Sequence, residues 1–360
     1  MMLSKLIRYS KRENFDIEVI SLTGDGPVGT KIRHLNIPVI PLGMPVGRLS
    51  AQSLLRLYRH LRKRKPELVQ TWLYHANLIG GVVARLAGVP CVCWNIHTSN
   101  LERKKTKWHT RQSVRACAFL SHFVPSKINF VSKESAHIHQ LKGYSTKKFN
   151  LIPNGFDVDE FVPDANAGLR IRMELDIPLT VPILGHVGRF DPLKNHTGLL
   201  KVFAKLIKDY PEVHLVCCGT GVTRENQTLK ELCRTHSMIG RVHLLGNRND
   251  IPALMNSFDV LVLPSYAEAF PNVLGEAMAC GIPCMVTDVG DCSEIVSESG
   301  WVVPPGDDKA LEKMLRKVLA LPKSALQQKG QIARAHIIKH YRIEDIVKKY
   351  ETLYDDLLSQ

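Results

Sequence analysis

Short apolar runs rich in β-branched residues alternate with amphipathic stretches along almost the whole chain. Strands that are apolar on both faces must be covered on both sides, and the intervening helices supply the cover, so the pattern predicts parallel α/β architecture. In the first half the runs fall at residues 17–22, 37–42, 68–73, 91–97, 128–131 and 149–153. In the second half they fall at 182–187, 213–218, 242–245, 260–264, 283–287 and 301–303. Between them the helical spacing is clear, as at 199–208, where Leu199, Leu200, Phe203 and Leu206 share one face. The polar stretch 153–178, with its Pro and Gly residues, divides two such sets. The 360 residues are enough for about two domains with separate cores. The expected layout is a first domain over 1–155, a linker over 156–178 and a second domain over 179–340. A last helix over 341–360 is expected to pack back on the first domain. Both domains read as Rossmann-like, doubly wound sheets facing a cleft, and in such sheets ligands bind at the carboxyl ends of the strands.

Composition narrows the setting. No stretch reaches the roughly 18 consecutive apolar residues of a membrane span. The opening Met-Met-Leu-Ser-Lys-Leu-Ile-Arg lacks the pattern of a signal peptide, so the expected location is cytoplasmic. Nine cysteines without a Cys-x2-Cys pair read as reduced core thiols. Charge is unevenly spread. Residues 1–150 hold 25 Lys and Arg against 7 Asp and Glu, a net of +18, while the remainder holds 23 against 27, a net of −4. The first half is therefore expected to face something anionic, such as lipid headgroups or a phosphorylated acceptor.

Three segments carry chemistry. Gly188-Arg189-Phe190-Asp191-Pro192-Leu193-Lys194-Asn195 follows the first strand of the second domain. Two cations five residues apart at a strand end suit a diphosphate, Arg189 as a fork and Lys194 as a point charge. On spacing alone a loop with two solvated cations fits equally well. Ser265-Tyr266-Ala267-Glu268-Ala269-Phe270-Pro271-Asn272-Val273-Leu274-Gly275-Glu276 follows the apolar run 260–264. Pro271 suits a first helical turn, which places Glu268 in a loop and Glu276 about one turn into a helix. The start of that helix is an anion site, and a carboxylate on each side suits sugar and ribose hydroxyls. Alone, Glu276 is better read as a solvated helix residue. Gly219-Thr220-Gly221 brings backbone close to a ligand or simply makes a turn.

Taken in order, the strand–Gly-Arg-x4-Lys element and the Glu-x7-Glu element resemble the donor domain of glycosyltransferase family 4. Ile152-Pro153-Asn154-Gly155-Phe156-Asp157, Leu215-Val216-Cys217-Cys218-Gly219-Thr220-Gly221 and Thr287-Asp288-Val289-Gly290-Asp291-Cys292-Ser293-Glu294 add to the likeness, which covers nearly the whole chain. The resemblance implies the GT-B fold. It also implies retaining transfer of a hexosyl or N-acetylhexosaminyl group from a nucleoside-diphosphate sugar, UDP-linked by expectation. The acceptor it implies is a polysaccharide or lipid-linked saccharide, as in capsule or lipopolysaccharide synthesis. Arg189 and Lys194, with Gly188, Gly219 and N–H groups near Phe270, Pro271 and Asn272, would bind the diphosphate. Glu276 would hold the ribose and Glu268 the transferred sugar, and backbone near Arg248 and Asn249 would meet the base.

The resemblance also assigns residues of the first half. His97, closing the run 91–97, resembles the family's active-site histidine, and His75 is expected to support the acceptor pocket. No cofactor or metal is expected: Arg189, Lys194 and the helix start would meet the leaving-group charge. Asp157-Val158-Asp159 is a chance match to an Asp-x-Asp metal motif. The basic stretches 50–66 (with Arg56, Arg59, Arg62, Lys63, Arg64 and Lys65) and 101–120 (with Arg103, Lys104, Lys105, Lys107, Trp108, Arg111 and Arg115) suit a peripheral contact with an anionic membrane. Their apolar residues fit core contacts as well. No recognition motif accompanies the charge, so nucleic acid is not expected.

One departure stands out. Family members open with a strand, a glycine-rich loop and a helix before the strand matching 17–22. Here about sixteen residues precede that strand, and Leu3 to Tyr9 already reads as the end of the helix. The first strand and its loop are expected to be absent from the first domain. Either the recorded start is an internal methionine, or the chain is a truncated nucleotide-sugar-binding relative with impaired catalysis.

Overall fold

The computed structural model describes residues 2–45, 47–99, 101 and 108–359. The chain divides into two compact units, Met1–Gly155 with Ile343–Gln360, and Phe156–Arg342.

In the first unit the order is α1 (Met2–Tyr9), β1 (Val19–Ser21), α2 (Gly26–Arg33), β2 (Val39–Pro41), α3 (Ala51–Arg64), β3 (Leu68–Trp72) and α4 (Tyr74–Leu86). It continues through β4 (Cys91–Ile96), α5 (Trp108–Leu120), β5 (Lys127–Phe130), α6 (Lys133–Leu141) and β6 (Phe149–Leu151). All pairing is parallel, but the strands form two sheets: β1-β2, and β3-β4-β5-β6. Among the described residues no strand lies between β1 and β3. A cavity of about 1040 Å³ occupies that position, lined by both strands along their whole length. β4, covered on both faces, is buried at every position, whereas β1 is only half-buried throughout.

The second unit runs α7 (Ala165–Glu174), β7 (Ile183–Val187), α8 (His196–Leu206), β8 (His214–Cys218), α9 (Gln227–Thr235), β9 (Val242–Leu244) and α10 (Ile251–Met255). It continues with β10 (Val260–Leu263), α11 (Asn272–Ala279), β11 (Cys284–Thr287), α12 (Cys292–Val296), β12 (Trp301–Val303), α13 (Asp308–Leu319) and α14 (Lys323–Tyr341). A final helix, α15 (Ile343–Leu358), returns to the first unit, where Ile343, Ile346 and Tyr350 are buried with Met2 and Leu6 of α1. The six strands form one parallel sheet in the order β12-β11-β10-β7-β8-β9. Leu199, Leu200, Phe203 and Leu206 of α8 pack on it with Leu215, Val260 and Val262. Asn195 caps α8, its Oδ1 accepting from the Gly198 N–H at 3.1 Å.

All twelve strands lie within a residue or two of the expected runs. The stretch 156–178 differs from a linker: it carries α7, capped by Asp164, and Phe156 accepts the packing of Gly275 and stacks on Phe270 within the second unit. Its polar residues are the caps and turns of a packed element, which composition alone does not separate from a flexible connection. Asp157 is buried and its Oδ1 accepts from the N–H groups of Asp159 and Glu160, closing a turn. All nine cysteines are free and buried.

Gly185, in the middle of β7, lies so close to Phe258 that a Cβ there would sit 2.1 Å from the ring. Gly185→Ala is expected to destabilise the second unit by about 1–3 kcal/mol in urea denaturation, the cost of overpacking a filled core. Adding Phe258→Leu should recover part of that loss, and an unchanged midpoint in the single variant would contradict the packing.

Candidate functional site

The second sheet reverses direction between β7 and β10: the chain moves outward through β8 and β9 and then returns to the other side of β7. Loops leaving two such neighbouring strands diverge onto opposite faces and leave a crevice at the carboxyl edge. The loop 188–195 leaves β7 there and the loop 264–271 leaves β10.

The two loops are tied together. The Tyr266 N–H donates to the Leu193 carbonyl at 2.8 Å, and Lys194 Nζ donates to Glu268 Oε1 at 2.5 Å. The same carboxylate oxygen accepts from Ser265 Oγ at 2.7 Å, and Thr287 Oγ1, from the end of β11, donates to the Ser265 carbonyl at 2.6 Å. The Lys194 side chain is 20% exposed and that of Glu268 8%. Removing either partner from so covered a pair leaves an uncompensated charge, which costs several kcal/mol, so the two positions depend on each other.

Backbone packing brings the rest of the crevice wall in. Gly219 has φ +145°, and a Cβ on it would lie 2.2 Å from the Gly188 carbonyl oxygen. The Gly188 N–H donates to the Cys218 carbonyl at 2.8 Å and the Phe190 N–H to the Thr220 carbonyl at 2.7 Å. Gly290, with φ +56°, lies against the Glu268 carbonyl, 2.4 Å from where its Cβ would be, and the Asp291 N–H donates to Ala269 O at 3.2 Å. Only glycine fits these approaches.

Two histidines lie beneath the loop. His186 Nδ1 donates to the Val262 carbonyl at 2.8 Å, and His196 Nε2 donates to the Gly188 carbonyl at 3.2 Å. Their rings meet edge to face, 4.4 Å apart. Burial lowers His186 to about 3 and His196 to about 4, so both are neutral and add no charge beneath the cations.

Arg189 is 67% exposed and only loosely held, its Nε 3.1 Å from Asp191 Oδ2. Burial pushes the Asp191 carboxyl up, but the Leu193 N–H and the Arg189 guanidinium outweigh it and hold it below the usual range. Glu276 is half-buried in the second turn of α11, and Asn272 opens that helix after Pro271. Pro271 has no N–H, so donors at this helix start come from Asn272 and Val273 rather than from Pro271. The Phe270 side chain is buried and stacked on Phe156, 6.0 Å between centroids, so only its backbone is available to the crevice.

Arg248 is engaged elsewhere. Its guanidinium binds Glu174 through two bonds, of 2.6 and 2.9 Å, and Asp250 through two more, of 2.8 and 2.6 Å. That leaves the backbone of this loop, with the exposed Asn249, to offer contacts.

In the first unit His97 follows β4 and stacks on Trp72, 4.9 Å between centroids. Burial lowers it to about 4, so the imidazole is neutral, and its buried Nε2 has no hydrogen-bond partner among the described residues. His75 is exposed at the start of α4, with its ring 6.2 Å from that of His109. Ser265, Thr287, Gly290 and the His186–His196 pair were not singled out by sequence reasoning as site residues. The run Thr287-Asp288-Val289-Gly290 after a strand is the signal that points to Gly290.

Comparison with known proteins adds two family matches. Residues 2–160 match the model "Glycosyltransferase Family 4" and residues 169–336 the model "Glycosyl transferases group 1". The chain is 27% identical to an Escherichia coli UDP-Gal:alpha-D-GlcNAc-diphosphoundecaprenol alpha-1,3-galactosyltransferase, over 96% of this chain and 90% of that protein. It is 33% identical to the Bacillus subtilis putative glycosyltransferase EpsF over 58% of this chain, which spans about half (53%) of that relative's length. Among solved structures, Anabaena Alr3699/HepE in complex with UDP and glucose superimposes with a TM-score of 0.85 at 22% identity, covering 98% of this chain and 95% of that one.

Protonation sets a testable limit on the site. The folded-state values of His186, His196 and His97 lie below the ordinary 6.5. The stability they contribute is therefore complete above pH 6.5 and lost as pH falls towards 4. Each group should cost about 1.4 kcal/mol per pH unit over that window. Urea denaturation at pH 7 and pH 5 should show the loss, and His196→Gln should reduce the slope. Equal stability at the two pH values would rule the burial effect out.

Proposed function

Because the chain belongs to the glycosyltransferases of the family 4 type, we propose that it moves a sugar from a UDP-sugar to a polysaccharide or lipid-linked saccharide, keeping the anomeric configuration. The observation that carries this reading is the Lys194–Glu268 pair at the switch point between β7 and β10, four residues before the start of α11. It places an ammonium, a carboxylate and a helix N-terminus at one crevice edge, as a sugar diphosphate requires.

In this reading Lys194, Arg189 and the first N–H groups of α11 take the diphosphate, and the exposed Arg189 is free to turn towards it. Glu268 accepts from hydroxyls of the sugar and Glu276 from those of the ribose. Backbone at Arg248 and Asn249 meets the base, and Gly188 and Gly219 let the diphosphate approach. The bond from the anomeric carbon to the diphosphate oxygen breaks while one to an acceptor hydroxyl oxygen forms, and the hydroxyl proton passes to the departing diphosphate oxygen. The diphosphate leaves with added negative charge, which Lys194, Arg189 and the helix start stabilise without a metal ion. His97, neutral and with its Nε2 unpartnered, contacts the sugar or diphosphate, and His75 supports acceptor binding. Supporting this substrate class, HepE was solved with UDP-glucose, and the E. coli relative is named for a UDP-galactose donor and a diphosphoundecaprenol acceptor.

A second reading is a donor-binding chain with impaired turnover, favoured by the cavity that separates β1 from β3. UDP should raise Tm under both readings. Transfer or hydrolysis of UDP-sugars, unaffected by a chelator, is expected only of the enzyme, and its absence would leave the binding reading. Glu276→Ala is expected to weaken UDP binding about tenfold or more, the scale of a lost charged hydrogen bond. Glu268→Ala should instead reduce transfer. Equal UDP affinity in wild type and Glu276→Ala would refute the ribose assignment.

The first unit is proposed to touch an anionic membrane. α3 contributes its basic side chains and the exposed Leu55, while its Leu57 and Leu61 are buried in the core. α5 offers Trp108 and Phe119 exposed, and Phe119 pairs with exposed Phe123 at 5.7 Å. Arg103, Lys104, Lys105 and Lys107 lie outside the described residues. Among the described residues no helix is long and apolar enough to cross a membrane. Co-sedimentation with phosphatidylglycerol vesicles should fall in Phe119→Ser/Phe123→Ser and with added salt; binding unchanged by both would remove the membrane contact.

A further inference from the structure

At Nε2, His97 lacks the hydrogen bond that usually holds an imidazole in place: the atom is buried and has no partner among the described residues. A histidine ring turns about a broad, roughly two-fold torsion. Any contact it makes is therefore only as well aimed as its neighbours allow.

What the ring does have is a flat partner. Trp72 closes β3, and its indole stacks on the imidazole with centroids 4.9 Å apart and planes 20° apart. Tyr350 of α15 stacks on the same indole, at 6.4 Å and 28°. Both separations are those of offset-stacked aromatic pairs. Three rings thus run from the final helix to His97.

Strand periodicity dictates this arrangement. Side chains two positions apart share a face, so Gln70 and Trp72 lie on one face of β3, and Cys93 and Asn95 lie on one face of β4. α15 covers both: Cys93 and Trp72 pack in one cluster with Tyr350, and Tyr354 Oη donates to Gln70 Oε1 at 2.6 Å. Tyr350 itself is fully buried. Its hydroxyl accepts from Asn129 Nδ2 at 3.0 Å and donates to Asn95 Oδ1 at 3.4 Å. Asn129 Nδ2 also donates to Asn95 Oδ1, at 3.1 Å. Asn95 stands two residues before His97. The same tyrosine therefore braces the strand end that carries the histidine and the indole that faces it.

The turn after Trp72 is an independent sign of a held geometry. Leu73 has φ +75°, a left-handed conformation that is costly for a residue with a side chain. Its N–H donates to the Asn95 carbonyl at 3.3 Å, and its carbonyl accepts from the Asn77 N–H at 2.9 Å. These bonds extend the β3–β4 ladder one step past Trp72, whose register partner is Asn95. Strain of this kind persists only where its surroundings fix it, and it gathers at ligand sites.

We propose that Trp72 is a positioning residue for His97, its indole setting the plane of the imidazole and Tyr350 holding the indole. The role rests on the reading of His97 as a residue that contacts the donor. It makes α15 a part of that contact, through a side chain 255 positions beyond Asn95.

The test is a double-mutant cycle on the full chain, read as release of UDP from UDP-glucose, UDP-galactose or UDP-N-acetylglucosamine, whichever the wild type uses fastest. His97→Ala is expected to lower kcat about tenfold or more, and Trp72→Leu by a similar factor, the scale of a misplaced contact. KM for the UDP-sugar should change less than about twofold in Trp72→Leu. The double variant should be no slower than His97→Ala alone, because the indole acts only through the imidazole. Trp72→Phe, which keeps a flat face, should recover most of the rate. Losses that multiply in the double variant would overturn the proposal, as would a full rate in Trp72→Leu beside a slow His97→Ala. A full rate in His97→Ala would instead remove the reading of His97, and the positioning role with it. Where the wild type binds a UDP-sugar without turnover, Kd replaces kcat in the same cycle, and equal values in all variants overturn the proposal. A wild type that neither binds nor turns over any of the three refutes the donor reading itself. Should Trp72→Leu fail to fold, proton NMR of the wild type decides. The His97 Hε1 resonance, identified by its loss in His97→Gln, should lie upfield of that of exposed His75, because it sits over an indole ring. A resonance in the position of an exposed histidine would refute the stack.

Discussion

Lys194 and Glu268 sit 74 positions apart in sequence and 2.5 Å apart in space, and much of the second unit is arranged so that they can. Their meeting requires β7 and β10 to be neighbours, which requires the chain to leave β7 in one direction and come back on the other side. It requires Gly290 to let the 264–271 loop lie flat, and Gly219 to let the 188–195 loop descend onto β8. It also requires the ground beneath to be uncharged, and burial keeps His186 and His196 neutral there. A protonated imidazole under the loop would repel Lys194. The pair is therefore both a structural clasp and a poised pair of charges, the two demands meeting in the same atoms.

Much of this architecture is legible in the residues themselves. Runs such as Val-Leu-Val-Leu at β10 and Cys-Val-Cys-Trp-Asn-Ile at β4 have no polar face, so they can only be strands covered on both sides. The candidate site was legible as two loops because each follows such a strand. What the sequence does not contain is which strands become neighbours, so the ion pair between the loops is visible only in three dimensions. The same holds for Arg248: its preference for Glu174, in a helix that reads as a linker, depends on α7 packing where composition suggested a flexible connection. Glycine roles divide similarly. Gly188 is readable from its place after a strand, whereas Gly290 owes its necessity to a carbonyl 22 residues away.

In the first unit the ordinary logic of a parallel sheet is interrupted. β1 is half-buried and β4 is wholly buried, although both belong to parallel sheets whose strands should be covered alike. The difference follows from what stands beside each strand: β4 has neighbours on both edges, β1 on one. α1 and α15 share a cluster with the inner face of the larger sheet, so the interruption is bridged by helices instead of hydrogen bonds.

The nine buried thiols give the molecule an internal clock. Cys91, Cys93 and Cys117 lie in the first unit, and Cys217, Cys218, Cys233, Cys280, Cys284 and Cys292 in the second. Burial raises Cys93 and Cys117 to about 12, and it raises Cys217, Cys284 and Cys292 as well, so the reactive thiolate is scarce while the fold is closed. An alkylating reagent then reads the rate at which each region opens, three positions reporting one unit and six the other. The chain carries, in residues with no part in its chemistry, a separate timer for the loosening of each half.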